Sequence, residues 1–105
     1  MIPAAVSERQ LQDLVIGAIK QLGLHYYHTH DSRRSPAGFP DLVIWGPRGL
    51  IMRELKSARG RLTPEQKETL RTLALAGVDA DVWRPEDWPQ RITAELRALR
   101  IWGEP

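Results

Sequence analysis

Three residues in the middle of the chain carry charges that their apolar surroundings do not call for: Asp41, Glu54 and Lys56. They lie in two short stretches, Pro40-Asp41-Leu42-Val43-Ile44-Trp45 and Leu50-Ile51-Met52-Arg53-Glu54-Leu55-Lys56, joined by Gly46-Pro47-Arg48-Gly49. Both stretches read as strands. A strand facing a core has no cheap place for a charge unless it is paired or bound to a metal. Side chains alternate along a strand, so Glu54 and Lys56 project from one face, and a hairpin brings Asp41 beside them. Two carboxylates and an ammonium at a sheet end suit a hard divalent cation and a phosphodiester. Mg²⁺ takes oxygen ligands, often one or two carboxylates, with water and phosphate completing its shell. Asp41, Glu54 and the backbone carbonyl of Leu55 provide such a set. Lys56 next to the metal's water can orient it, lower its pKa, or steady charge on the phosphate. The competing reading is an exposed Glu–Lys pair on a half-wet strand, because Glu-x-Lys alone is a weak pattern. The Pro-Asp dipeptide and the tight turn that bring the acids together favour the chemical reading.

These residues need a frame. Ser7 with Gln10 forms a helix start of the capping-box type, Leu11, Leu14, Val15, Ala18, Ile19 and Leu22 follow helical spacing, and Gly23 ends the helix. Leu24 to Thr29, rich in aromatic and histidine residues, predicts a first strand, with Tyr26 and Tyr27 on opposite faces. A polar loop leads to the hairpin of Asp41 to Lys56, whose turn has Pro47 and Gly49 in type I positions. Thr63-Pro64-Glu65-Gln66 opens a second helix, with Leu70, Leu73 and Ala74 as its core face and Gly77 at its end. Val78 to Arg84 predicts a fourth strand, with Val78, Ala80 and Val82 on one face and Trp83 on the other. Pro85-Glu86-Asp87 starts a last helix with Trp88, Ile92, Leu96 and Leu99 on one face. The order is αβββαβα. The long connection through the second helix fits a parallel crossover, so the sheet is expected to be mixed.

At 105 residues the chain reads as one domain, 1–105. It has no cysteine, which excludes disulfides and thiolate metal sites. No apolar run reaches the roughly 18 residues of a membrane span, and no secretory signal pattern opens the chain; an intracellular, cytoplasmic protein is expected. The formal net charge is +2, yet Arg33, Arg34, Arg48, Arg53, Lys56, Arg59, Arg61, Lys67 and Arg71 crowd the segment that holds the acids. A basic field around acidic ligands suits a polyanion; the plainer reading is a solvated basic face.

The remaining candidates have two readings each. Gln66 either reaches the site from the sheet side of its helix or simply completes the capping box with Thr63. Glu8 is a third acid near the metal, or an acid placed favourably at a helix N-terminus; the residues alone prefer the second. His25, His28 and His30 invite zinc, but a structural zinc site usually has four ligands with cysteines among them. His28 is expected beside the site or on substrate, with His25 and His30 at the surface. Arg33, Arg34 and Ser35, directly ahead of Asp41, are candidates for phosphate contact. Trp45, Trp83 and Trp88 are expected to fill the core, and Trp102 to cover a subunit interface or lie exposed.

The ordered motifs His28-Thr29-His30-Asp31-Ser32-Arg33-Arg34-Ser35, Gly38-Phe39-Pro40-Asp41-Leu42-Val43, Glu54-Leu55-Lys56 and Gly60-Arg61-Leu62-Thr63-Pro64-Glu65-Gln66, with Val82-Trp83-Arg84-Pro85 as a looser match, resemble the VRR-NUC family of the PD-(D/E)xK nuclease superfamily. The resemblance runs from about Glu8 to Trp88 and is with its small stand-alone members, often found in phages and bacteria. It implies an α/β, restriction-endonuclease-like core and DNA cleavage that depends on Mg²⁺ or Mn²⁺. Asp41 and Glu54 match the metal-binding acids, Lys56 the catalytic lysine, Gln66 the glutamine of the following helix, and Glu8 the acid of the first helix. The basic residues Arg33, Arg34, Arg59, Arg61 and Lys67, with Ser35 and His28, are then the candidates for DNA contact. The resemblance also implies a homodimer acting on branched DNA such as Holliday junctions, in a bacterial cell or phage-infected host. Two rivals stay open: a non-catalytic nucleic-acid-binding module, and a metal phosphoesterase acting on RNA or nucleotides.

Overall fold

A computed structural model describes residues 6–29 and 37–100. Its elements run α1 (Glu8–Gln21), β1 (His25–His28), β2 (Leu42–Gly46), β3 (Gly49–Leu55), α2 (Pro64–Leu75), β4 (Asp79–Trp83) and α3 (Gln90–Arg97), with a short 3₁₀ turn at Pro85–Asp87. The four strands form one sheet in the order β1-β2-β3-β4. β1–β2 and β2–β3 are antiparallel, and β3–β4 is parallel through the α2 crossover. The mixed αβββαβα architecture expected from the sequence is present.

Register assigns every side chain to a layer. Leu42 pairs with Arg53 and Ile44 with Ile51, while Leu55 pairs with Trp83. These residues face α1 and α3 and are fully or nearly fully buried with Leu11, Val15, Ile19, Ile92 and Leu96. Each such aliphatic side chain contributes roughly 1.5–3 kcal/mol of hydrophobic stabilisation. Val43, Trp45, Met52 and Glu54 belong to the opposite face by the same alternation. Tyr26 packs against the core and Tyr27 is exposed on the other side, as their neighbouring positions require.

Both capping boxes form. The Ser7 hydroxyl accepts from the Gln10 amide while Gln10 Oε1 accepts from the Ser7 amide; Thr63 and Gln66 repeat the exchange. Gly23, at φ 71°, follows the α1 cap in the left-handed region that glycine tolerates.

Three expectations need correction. The α2 face of Leu70, Leu73 and Ala74 is not a core face: Leu70 and Leu73 are half-buried, Ala74 is exposed, and no α2 residue is buried. α1 and α3 share the opposite face of the sheet and close a core there, whereas α2 packs chiefly on β4. Trp45 does not fill the core. It lies on the α2 side, 38% exposed, stacked on His25 with ring centroids 5.7 Å apart. The last helix does not run on from Pro85. The 3₁₀ turn ends before a cis Trp88–Pro89 bond, and α3 begins at Gln90, because Pro89 has no amide to continue the hydrogen-bond ladder. Trp83 is fully buried and Trp88 half-buried against the core, as expected. His30, Arg33, Arg34, Ser35 and Trp102 lie outside the described residues.

Candidate active site

The site forms where β2 and β3 end together. Asp41 precedes β2 by one residue, and its Oδ2 accepts a 2.8 Å hydrogen bond from the Leu55 amide. The carboxylate thus stands where the next rung of the ladder would be. Its backbone is tied from the other side, since its carbonyl accepts from the Thr29 amide at 2.9 Å and the Thr29 hydroxyl donates to the Pro40 carbonyl. Amide and carbonyl of one strand residue point to the same edge, so the Leu55 carbonyl is directed to the Asp41 side as well.

Glu54 is the buried member, 3% exposed. Its Oε2 accepts from Gln66 Nε2 at 2.9 Å and lies 3.4 Å from the Lys56 ammonium. Its Oε1 is buried and has no hydrogen-bond partner among the described residues. A buried polar atom left without a partner costs about 1–3 kcal/mol and calls for an explanation. Burial pushes the Glu54 pKa up to about 7; the charge of Asp41 adds to this, Lys56 works against it, and Glu8 adds a smaller push. A cation between the two carboxylates would favour the ionised form and give Oε1 a partner.

Gln66 does both things that its position allows. Oε1 serves the helix cap while Nε2 reaches Glu54. A residue not singled out as functional lies against the start of this helix. Gly38, at φ 82°, approaches the α2 start so closely that a Cβ there would lie 2.4 Å from the Glu65 carbonyl. Its signal in the sequence is the glycine just ahead of Phe39-Pro40-Asp41, which leaves room for the loop to lie on the helix backbone.

Glu8 opens α1 and is exposed. It acts on Glu54 as a like charge, but no three acidic, histidine or cysteine side chains gather into a metal cluster among the described residues. His25 and His28 join no such cluster among the described residues, and His30 lies outside them. His28 pairs with Leu42, so it projects to the α1 side of the sheet, near the strand end that holds Asp41. Arg59, Arg61 and Lys67 are exposed on the loop and helix that follow Lys56.

The residues present fit a divalent cation. Two carboxylates, one with an unpartnered buried oxygen, and a neighbouring strand carbonyl make an oxygen-donor set of the kind a hard ion prefers.

Comparison with known proteins gives the family and the fold. The family model described as "VRR-NUC domain" matches residues 5–87. No curated protein matches the chain. Among solved structures, a VRR_NUC domain protein superposes with a TM-score of 0.67 at 23% identity, covering 88% of this chain and 86% of that one. The structure of Archaeoglobus fulgidus Hjc, a Holliday junction resolvase from an archaeal hyperthermophile, superposes with a TM-score of 0.52 at 25% identity over 73% and 67% of the two chains. The fold is restriction-endonuclease-like.

Proposed function

This chain belongs to the VRR-NUC domain family, and we propose that it is a divalent-metal-dependent DNA endonuclease acting on branched substrates. The carrying observation is the buried Glu54 carboxylate, with one oxygen that has no partner among the described residues, held beside Asp41 and Lys56. Asp41, Glu54 and the Leu55 carbonyl hold Mg²⁺ or Mn²⁺ in this reading. The ion supplies Lewis acidity for phosphodiester hydrolysis when bound. The protein does the rest. Lys56, kept close to Glu54, orients the attacking water and offsets negative charge that grows on the phosphate. Gln66 holds Glu54 Oε2 so that Oε1 keeps its direction. Arg59, Arg61 and Lys67, together with Arg33, Arg34 and Ser35 of the preceding loop, take the phosphate backbone. His28 is a further contact proposed near the strand end, and Glu8 is proposed to act on the metal's waters.

Support for a branched substrate comes from the likeness to the archaeal resolvase. The family resemblance adds a homodimer, which sedimentation of the full chain would reveal as twice the monomer mass. Among the described residues no helix is long and apolar enough to cross a membrane.

The test uses linear, forked and four-way DNA with Mg²⁺, Mn²⁺ or EDTA, beside Asp41→Ala and Lys56→Ala. Cutting is expected to need metal, to favour a branched substrate, and to fall by about 10²-fold or more in either variant. Equal activity in the variants would point to another site. Binding without cutting would leave a non-catalytic module, and a preference for RNA would leave a phosphoesterase of different scope.

A further inference from the structure

We infer that Arg84 is a positioning residue for Lys56, closing the turn that follows Lys56 over its side chain; the catalytic consequence rests on the proposed role of that lysine. Lys56 is the residue at which β3 gives way to loop, and its amide donates to the Trp83 carbonyl at 3.1 Å. The chain then turns, and the Gly60 amide donates to the Ser57 carbonyl. Arg84 Nη1 donates to the carbonyls of both Ser57, at 2.8 Å, and Gly60, at 2.7 Å. One nitrogen with two hydrogens thus fastens both ends of the turn.

Gly60 is the part of the turn that meets the lysine. A Cβ added there would lie 3.4 Å from Lys56 Cδ and 3.0 Å from Ser57 Oγ, so the turn packs on the aliphatic stem. The Lys56 side chain is only 11% exposed, and its ammonium stays 3.4 Å from Glu54 Oε2. A lysine has a flexible four-carbon stem, and a wall against that stem narrows what the ammonium can reach. Arg84 is itself fixed. It follows directly on β4 in extended conformation, and its amide donates to Asp87 Oδ2 at 2.8 Å. The latch therefore runs from β4 through the 57–60 turn to the amine beside Glu54.

Both bonds leave one nitrogen, so a lysine ammonium can bridge the same carbonyls, but on a flexible stem without the fixed fork of the guanidinium it is a partial substitute. The experiment compares wild type with Arg84→Met and Arg84→Lys in two readouts. The first is the ¹H–¹⁵N signal of the Lys56 ammonium in the protein alone, assigned by its loss in Lys56→Arg. The second is single-turnover cleavage of four-way DNA with Mn²⁺, as rate at saturation and as affinity.

In Arg84→Met the ammonium signal is expected to broaden or vanish. The saturated rate is expected to fall by about tenfold, more than the affinity does, as for a misplaced catalytic group. Arg84→Lys should recover part of both, and it decides the matter if Arg84→Met does not fold. An unchanged ammonium signal in a folded variant overturns the inference, whatever happens to the rate. So does a loss confined to affinity with the signal intact, which would assign the latch to Arg59 and Arg61. A lost signal with an unchanged rate upholds the positioning and removes Lys56 from the chemistry. If wild type cuts no DNA, the proposed function fails while the spectrum still decides the role of Arg84.

Discussion

Arg53 and Glu54 are adjacent on β3 and point to opposite faces of the sheet, and the two faces treat their charges differently. On the α3 side, Glu95 is surrounded by donors. Its Oε1 accepts from Arg53 Nε and Nη2 and from Trp83 Nε1, and its Oε2 accepts from Arg91 Nε. Arg53 is equally well served, with Asp79 as a second ion partner, the Met52 and Asp79 carbonyls as acceptors, and the Trp83 ring 5.2 Å from its guanidinium carbon. Burial works to raise the Glu95 pKa, but the hydrogen bonds from Arg53, Arg91 and Trp83 outweigh it and hold the carboxyl below its usual range. On the other side, Glu54 is more buried and has fewer donors, and its pKa is raised. A carboxylate that serves the fold brings its partners with it. Glu54 Oε1 has no such partner among the described residues, as the proposed role in holding a cation requires.

The largest effect should come from breaking the satisfied side. Glu95→Ala strands Arg53 in the core with much of its pairing gone. It is expected to cost about 3–5 kcal/mol in urea unfolding, independent of added metal. Glu54→Gln tests the other side: it removes a charge that the apo fold does not favour. Apo stability should be unchanged or higher, while cleavage is lost. A large loss of apo stability would make Glu54 a structural residue like Glu95.

The pH dependence sharpens the contrast. A carboxyl whose pKa is raised by folding binds its proton more tightly in the folded state, so its contribution is full at low pH. That contribution is lost as pH rises from about 4.5, the ordinary value, to about 7. Apo wild type is therefore expected to lose up to a few kcal/mol across that window, and Glu54→Gln to lose less. Added Mn²⁺ should reverse the trend by holding the ionised form, with protons released on binding. Parallel melting curves at pH 5, 6 and 7.5 would show it.

The smallest effect concerns the loop that sets Gln66. Gly38→Ala puts a methyl against the Glu65 backbone at a positive φ and is expected to cost about 1–3 kcal/mol. It should lower the cleavage rate beyond what the lost stability explains, by displacing Gln66 from Glu54. A normal rate in the folded variant would show that the Gln66 contact is dispensable.

Much of the geometry of the candidate site was legible because its logic is local. Period-two alternation aligned Glu54 with Lys56, and the hairpin brought Asp41 to them. The capping pattern around Thr63 and Gln66 was readable as a helix start, although it could not say that Gln66 would also reach Glu54. The satisfied side was harder. Arg53 and Glu95 are 42 positions apart, and Glu95 on its helix looks like any surface acid. A signal was present nonetheless. Arg53 shares a face with Ile51 and Leu55, and an arginine in such company needs a buried acceptor. Glu95 stands beside Leu96 and three residues after Ile92, at the rim of the core face of α3. The largely exposed α2 and the exposed Trp45 could not be read locally, because they follow from α1 and α3 sharing the opposite face of the sheet.

Anomalous diffraction from crystals soaked in Mn²⁺ bears most directly on the idea that Glu54 is short of one partner. A peak within coordination distance of Glu54 Oε1, Asp41 and the Leu55 carbonyl is the expected result, absent in Glu54→Gln. Full soaking with no density there, or a peak seated elsewhere on the chain, would contradict it.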